Sequence, residues 1–502
     1  MAIDLFPESS VFELTPQQLL EDYRLAYRSR QLSLFGRSEV LSGRAKFGAF
    51  GDGKELPQLA MAHAFRRGDW RSGYYRDQTL MMALGELTVQ QFCAQLYAHA
   101  DPDADTASGG RMMPAHFVTH SLNPDGTWRD LTAQYNTSAD ISPTAAQMPR
   151  LVGLAYASRL FRELDDLRQM TTFSHNGDEV AWGTIGNAST AEGMFWESLN
   201  AIGVLRAPAI VSIFDDGYGI SVPNEHQMLK QDLSALLQGF KRDPETGEGY
   251  DLYTVRGWDY PALLEAYQQA AYNARTHHIP AIVHVIELTQ PQGHSTSGSH
   301  ERYKTPERLA WEHDHDGLQR MRVSLIERGV IDEAALAQLE AQDKAQVRSE
   351  MRAAWEAFTA SIDGERQQMH AMLESLAAKS RHADALHTVT RAMLNTPYPK
   401  RRDILEAALK ALRITRDENS AARDALKRWR TTHREAYARL YGSHLHSESS
   451  ESPLKVQAIA PSYAPDAETV NGFQVLNAFF ESMFARDPRV IAFGEDVGFL
   501  GG

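Results

Sequence analysis

Apolar and polar positions alternate in two different ways along this chain, and the change falls near residue 305. From about 16 to 97 the spacing is helical, with one interruption by a glycine-rich stretch at 48–53. From 101 to 127 Gly, Pro, Asp and His gather without a period, which reads as a long loop. A helix is expected over 148–164. The most regular stretch follows: a short apolar strand at 180–185, a turn of small residues at 186–190, and a helix at 192–203 that lines up Phe195, Leu199 and Ile202. A second strand, Ala209–Phe214, comes next. A strand at 250–255, a helix at 261–277 and a strand at Ala281–Ile286 continue the alternation. Short strands alternating with helices imply a mostly parallel sheet, a doubly wound α/β fold.

Beyond 305 the chain turns to Ala, Glu, Arg and Leu at helical spacing, with breaks expected near Gly364 and at Pro397 and Pro399. This gives a first domain over 1–304 with a helical N-terminal arm, and a helical domain or spacer over 305–442. A Ser- and Pro-containing linker over 443–468 has little to bury. In the last segment, 469–502, Val475, Leu476, Phe479, Phe480 and Met483 mark an amphipathic helix, followed by a strand expected at 490–493. A strand with no elements behind it reads as the incomplete start of another domain.

Composition narrows the function classes. With 502 residues, 43% of them hydrophobic, the chain can bury several cores. No apolar run approaches the roughly 20 residues of a membrane span. Residues 1–10 carry Asp4 and Glu8 and lack the pattern of a signal or transit segment, so a cytoplasmic protein is expected. A lone Cys93 excludes internal disulfides and multi-cysteine metal sites. The net charge of −14 speaks against nucleic-acid binding.

The chemistry sits at strand ends. Gly186-Asn187-Ala188-Ser189-Thr190 joins a strand to a helix through small residues, which lets backbone N–H groups and the helix dipole approach a phosphate. Asp215-Asp216-Gly217-Tyr218 stands at the end of the next strand, on the same ligand-binding edge. Oxygen-bearing side chains beside a phosphate suit Mg²⁺. Taken alone, the second segment could equally be a surface turn. Two further motifs carry nothing: Gly51-Asp52-Gly53 has no strand before it and reads as loop, and His313-Asp314-His315-Asp316 alternates around a helix and reads as solvated surface.

These segments resemble the thiamine-diphosphate enzymes, which carry Gly-Asp-Gly and later Asn-Asn, the first Asp and second Asn binding the metal. Here Asn187 and Asp216 stand at those places, an exchange that keeps one carboxylate and one amide oxygen. The resemblance makes the Tyr218 backbone carbonyl the third metal ligand. Other segments resemble, in order, the α subunit of the 2-oxoacid dehydrogenases. Tyr75 and Arg76 match a Tyr-Arg pair that reaches the diphosphate. His116, in Gly110-Arg111-Met112-Met113-Pro114-Ala115-His116, falls in a substrate-side loop, where it could equally be structural. Ser142 and Thr144 fall in the segment that holds the aminopyrimidine. His294, in Gln292-Gly293-His294-Ser295-Thr296-Ser297, matches an active-site histidine of the branched-chain version.

The resemblance implies an oxidoreductase that decarboxylates a 2-oxoacid, branched-chain by preference, with thiamine diphosphate and Mg²⁺. The acyl group would pass to the lipoyl domain of an acyltransferase. Gly186, Asn187, Ala188, Ser189, Asp216 and Tyr218 would hold the cofactor and metal, and His294 and His116 would act on substrate. A β subunit, fused or separate, would activate the cofactor within an oligomer. The segment around Ile491-Ala492-Phe493-Gly494-Glu495-Asp496 resembles the opening of that β half, as in an α-β fusion, with Glu495 too early to be the activating glutamate. Pyruvate or acetoin dehydrogenase of the same family is the alternative within the enzyme class. A non-catalytic scaffold binding a partner through the helical segment is the alternative outside it.

Overall fold

The computed structural model describes residues 13–494 and residue 497. Its strands are β1 (Trp70–Ser72), β2 (Asn136–Thr137), β3 (Ala181–Gly186), β4 (Ala209–Phe214), β5 (Tyr218–Gly219), β6 (Val222–Pro223), β7 (Asp251–Arg256) and β8 (Ala281–Ile286). β5 and β6 form a small antiparallel hairpin. The other six build one sheet in the order β2-β1-β3-β4-β8-β7, and every pairing in it is parallel.

The central strands β3, β4 and β8 are buried along almost their whole length because both faces are covered. Along β4, Ile210 and Phe214 turn to one face and Val211 and Ile213 to the other. The first face packs against α2 (Glu55–Ala64) and α8 (Tyr260–His277). The second packs against α5 (Gln147–Glu163) and α6 (Gly193–Val204), where Phe195, Leu199 and Ile202 are fully buried. The expected β3-turn-α6-β4 unit is therefore present, as are the last two strands and the helix between them.

The expectation of helices over 16–97, interrupted only by the glycine-rich stretch at 48–53, needs correction. α1 (Pro16–Leu41), which precedes α2, starts at a Thr15–Gln18 capping box, and α3 (Gln78–Ala83) and α4 (Val89–Leu96) follow, but β1 lies among them. Three residues, Trp-Arg-Ser, are too short a run to show a strand period; parallel pairing with β3 fixes them. The break expected near Gly364 is also absent. α11 (Glu333–Ala377) runs 45 residues straight through it. A helical glycine costs about 1 kcal/mol, which the burial of neighbouring Ile362 and Met369 offsets.

α7 (Leu233–Leu236) is a single turn between β6 and β7. α9 (Pro306–Asp314), α10 (Gly317–Glu327) and the first half of α11 belong to the sheet's body: Leu318, Met321, Leu325 and Leu336 join the core on the α2–α8 face, and Val347 and Met351 pack with Phe50 and Phe92. From Ile362 onward α11 packs with α12 (Ala383–Leu394), α13 (Arg401–Ile414) and α14 (Ala421–Gly442) in a separate core, and the chain does break between α12 and α13 at the two prolines.

α15 (Gly472–Arg486) forms as expected, with no buried residue. The strand expected at 490–493 does not form; that segment has no ladder partner, and Ile491 and Phe493 lie along an apolar groove with Val152 and Leu160 of α5. Residues 1–12, Glu495, Asp496 and Gly498 lie outside the described residues. Among the described residues no helix is long and apolar enough to cross a membrane.

Candidate cofactor site

The carboxyl ends of β1, β3, β4 and β8 meet in a cavity of about 410 Å³. Its wall includes Tyr75, Arg76, Ser142, Thr144, Gly186, Asn187, Ala188, Ser189, Asp216, Tyr218 and His294, so segments far apart in sequence converge here. His116 stands just behind the wall. Its ring stacks on Tyr75 at 6.3 Å between centroids, and its Nε2 lies 3.1 Å from the Ser142 hydroxyl.

The turn after β1 is held by a buried ion network. Arg71 pairs with Asp77 at 2.7 Å and with Asp140 at 3.0 Å, all three out of contact with water. Asp77 also accepts from the Thr184 hydroxyl on β3, and Asp140 from the Phe117 backbone N–H. Such a network is stable only when its members are partnered. Here it ties β1, β3 and the 140–144 loop together, and so fixes Tyr75 and Arg76 against Ser142 and Thr144. Gly73 is required at the corner, because a Cβ there would lie 2.1 Å from Asp77 Oδ2.

Arg76 is 5% exposed. One terminal nitrogen donates to the Phe50 carbonyl at 2.7 Å and the other to the His294 carbonyl at 2.9 Å. Among the described residues no carboxylate forms an ion pair with it. Its hydrogen bonds go only to neutral carbonyls, while the Tyr75 ring lies 5.0 Å away and Asp216 and Asp52 act on it at longer range, so its fork is suited to an anion.

On the opposite wall, a chain of hydrogen bonds fixes the direction of Asn187. The Asp215 carboxylate accepts from His284 Nε2 at 3.2 Å and from Asn224 Nδ2 at 3.3 Å. A carboxylate only accepts, so Asn224 turns its amide oxygen toward Asn187, which donates to it at 2.7 Å. Among the described residues the Asn187 amide oxygen is left as the free end. Behind His284, its Nδ1 meets the Ser234 hydroxyl at 2.7 Å.

Asp216 is held differently. One oxygen meets the Lys54 ammonium at 2.9 Å and the other accepts from the Tyr218 N–H at 3.2 Å. Burial works against its ionised form, but Lys54, with Arg76 and Lys304 beyond it, outweighs burial and holds the carboxyl below its ordinary range. Lys304 pairs with Glu312 at 2.7 Å, and its ammonium lies 5.3 Å from the centre of the Tyr218 ring. His294 is pulled down to about 4, first by burial and then by Arg76, so it is a neutral imidazole at pH 7, and its Nε2 lies 3.3 Å from the Tyr75 hydroxyl.

Asn187, Asp216 and Tyr218 thus line one cavity, where an amide and a carboxylate oxygen are hard donors of the kind Mg²⁺ shares with phosphates. Among the described residues there is no cluster of three His, Cys, Asp or Glu side chains that could hold a metal. In the His313–Asp316 segment, His313 is exposed, His315 stacks on Trp311, and Asp316 pairs with Arg30.

The sequence reading missed Lys54. Gly51-Asp52-Gly53 is a loop, as expected, but it carries Lys54 into the cavity. A Cβ on Gly51 would lie 2.6 Å from the Arg76 carbonyl, and one on Gly53 2.1 Å from that of Thr289. The two glycines wedge this loop between the two segments that supply Arg76 and His294. A lysine next to two glycines at the start of a helix was the available signal; its partners are distant in sequence.

A doubly wound sheet with a cation-lined cavity at its carboxyl edge is the architecture of a cofactor-dependent α/β enzyme. The model of the family Dehydrogenase E1 component matches residues 29–362, and the chain belongs to that family, the thiamine-diphosphate-dependent 2-oxoacid dehydrogenases. Its relatives include the 2-oxoisovalerate dehydrogenase subunit alpha of Bacillus subtilis (strain 168), 27% identical over 325 residues, a match covering 64% of this chain and 85% of that one. The mitochondrial subunit alpha of Mus musculus is 24% identical over 346 residues, covering 69% and 67%. The mitochondrial subunit alpha 2 of Arabidopsis thaliana is 26% identical over 272 residues, covering 54% and 48%. The chain thus spans most of the bacterial relative and about half of the plant one.

Proposed function

We propose that this chain is the cofactor-holding part of an enzyme that oxidatively decarboxylates a branched-chain 2-oxoacid and passes the acyl group to a lipoyl domain. The observation that carries this reading is Arg76, a buried cation on the cavity wall with no carboxylate partner among the described residues. It speaks against the scaffold alternative, because an unused site has no reason to keep a cation without an ion-pair partner out of water. The branched-chain preference rests on relatives named for 2-oxoisovalerate.

Bound thiamine diphosphate would supply the carbon nucleophile and electron sink for decarboxylation. The chain's own residues bind and orient it. Arg76 and Lys304 meet the diphosphate charge, and the backbone N–H groups of the turn at Asn187, Ala188 and Ser189 cradle it. The amide oxygen of Asn187, the Asp216 carboxylate and the Tyr218 carbonyl hold Mg²⁺. Ser142 and Thr144 face the aminopyrimidine. His294, neutral at pH 7, can give or accept one hydrogen bond toward the diphosphate or the reacting oxygens. His116, locked to Ser142 and Tyr75, aligns the substrate side. Activation of the aminopyrimidine falls to a β-type partner in an oligomer. The single, buried Cys93 suits a reducing compartment such as the cytoplasm.

Release of CO₂ from 2-oxoisovalerate and from pyruvate, measured with the β-type half supplied, tests the reading. Faster turnover of the branched substrate is expected. Preference for pyruvate would overturn the substrate class, and turnover of neither would overturn the enzymatic reading.

A further inference from the structure

Lys54 is 1% exposed, so its ammonium has been taken out of water at considerable cost. Two of its three N–H donors are used, toward Asp216 Oδ2 at 2.9 Å and the Thr289 carbonyl at 2.7 Å. Among the described residues the third has no partner, and Lys54 is part of the cavity wall. The residue is not a chance visitor. Its neighbour Glu55 is gripped by Arg30 at 2.7 Å, Arg30 also pairs with Asp316 at 2.9 Å, and Glu55 accepts from the Gly53 N–H at 2.9 Å. The loop is therefore pinned on both sides of Lys54.

The cavity wall carries three cations, Lys54, Arg76 and Lys304, and two carboxylates, Asp216 and the exposed Glu192, with Glu312 behind Lys304. A divalent ion on Asp216 would also share its carboxylate with an ammonium already 2.9 Å away, and the two cations repel.

We propose that Lys54 takes over part of the metal's work in this site: its ammonium bridges Asp216 and the cofactor's diphosphate, so that diphosphate binding persists without a divalent cation. The inference rests on the reading of the cavity as a thiamine-diphosphate site. Lys54 is a binding residue on this account, donating its remaining N–H to a phosphate oxygen while Asp216 holds the ammonium in place.

Calorimetric titration of thiamine diphosphate into the whole chain, once with excess Mg²⁺ and once with EDTA, tests it, with inorganic pyrophosphate as a second probe. For the natural chain, the Kd in EDTA should lie within about tenfold of that in Mg²⁺. Lys54→Gln should still bind in Mg²⁺ but lose about 100-fold or more in EDTA, and Lys54→Arg, which keeps the charge, should retain metal-free binding. Binding by the natural chain in Mg²⁺ but not in EDTA would overturn the role of Lys54 and leave the cofactor reading standing. That arm holds whether or not a variant folds. Metal-free binding undiminished in folded Lys54→Gln would also overturn it. Binding of neither probe under either condition would overturn the cofactor reading, and this inference with it.

Discussion

Arg76 and Lys54 are both cations held away from water, but they differ in how far their charge is met. Lys54 is ion-paired with a carboxylate, whereas the hydrogen bonds of Arg76 go only to carbonyls. The imidazoles of His278 and His294 are held in the opposite sense, each drawn down to about 4 chiefly by burial. An unfolded imidazole takes up its proton near pH 6.5, while these two resist until near 4. Their contribution to stability is therefore complete above about 6.5 and lost as pH falls toward 4. At pH 5.5 the loss is about 1 kcal/mol for each. Urea unfolding at pH 7.5 and 5.5 should show it, with a smaller drop for His278→Asn, a residue that tolerates the positive φ at this position. An equal drop in the variant would remove His278 from the account. At this scale, Asn187 and Asp216 were legible because each sits at a strand end, a place that sequence pattern can locate. Lys54 was not, because what gives it meaning is Thr289 and Asp216, brought beside it only by the fold.

Between elements, what matters is direction. From Ser234 on α7 through His284 on β8 to Asp215 after β4, and on through Asn224 to Asn187, each hydrogen bond settles the next, and the last leaves an amide oxygen without a partner among the described residues. Asn224 touches neither cofactor nor metal in this account, yet Asn224→Leu removes the group that orients Asn187. Supports of this kind typically govern about 10- to 100-fold in metal affinity. The Kd for Mg²⁺, read by titrating the ion into the chain saturated with thiamine diphosphate, should rise by that range in the variant, with its thermal unfolding little changed. An unchanged Mg²⁺ affinity would reduce the chain of bonds to a purely structural feature. The β3-α6-β4 unit was legible because its strands are six residues long and mostly apolar, with only Thr184 and Ser212 polar. β1 and β2 were not, since two or three residues carry no period. Gly364 misled because helix propensity is local, and the packing of Ile362 and Met369 outweighs it.

At the scale of the molecule, the helices after residue 305 divide between two cores. α9, α10 and the first half of α11 complete the sheet's body, where Lys304, Glu312 and Arg308 close the back of the cavity, Arg308 donating to the Asp216 carbonyl at 2.8 Å. The second half of α11 and α12–α14 form their own core, away from the cavity wall. The change of pattern near 305 was visible in sequence, but its split between two cores was not, because one continuous helix serves both. On this account the sheet's body, with Arg76 at its carboxyl edge, takes the diphosphate. Calorimetric titration of thiamine diphosphate with Mg²⁺ into the natural chain and into Arg76→Met tests that most directly. Saturable binding is expected, weakened about 100-fold or more in the variant by loss of the charged fork. Equal affinity in the two chains, or no binding to the natural one, would contradict it.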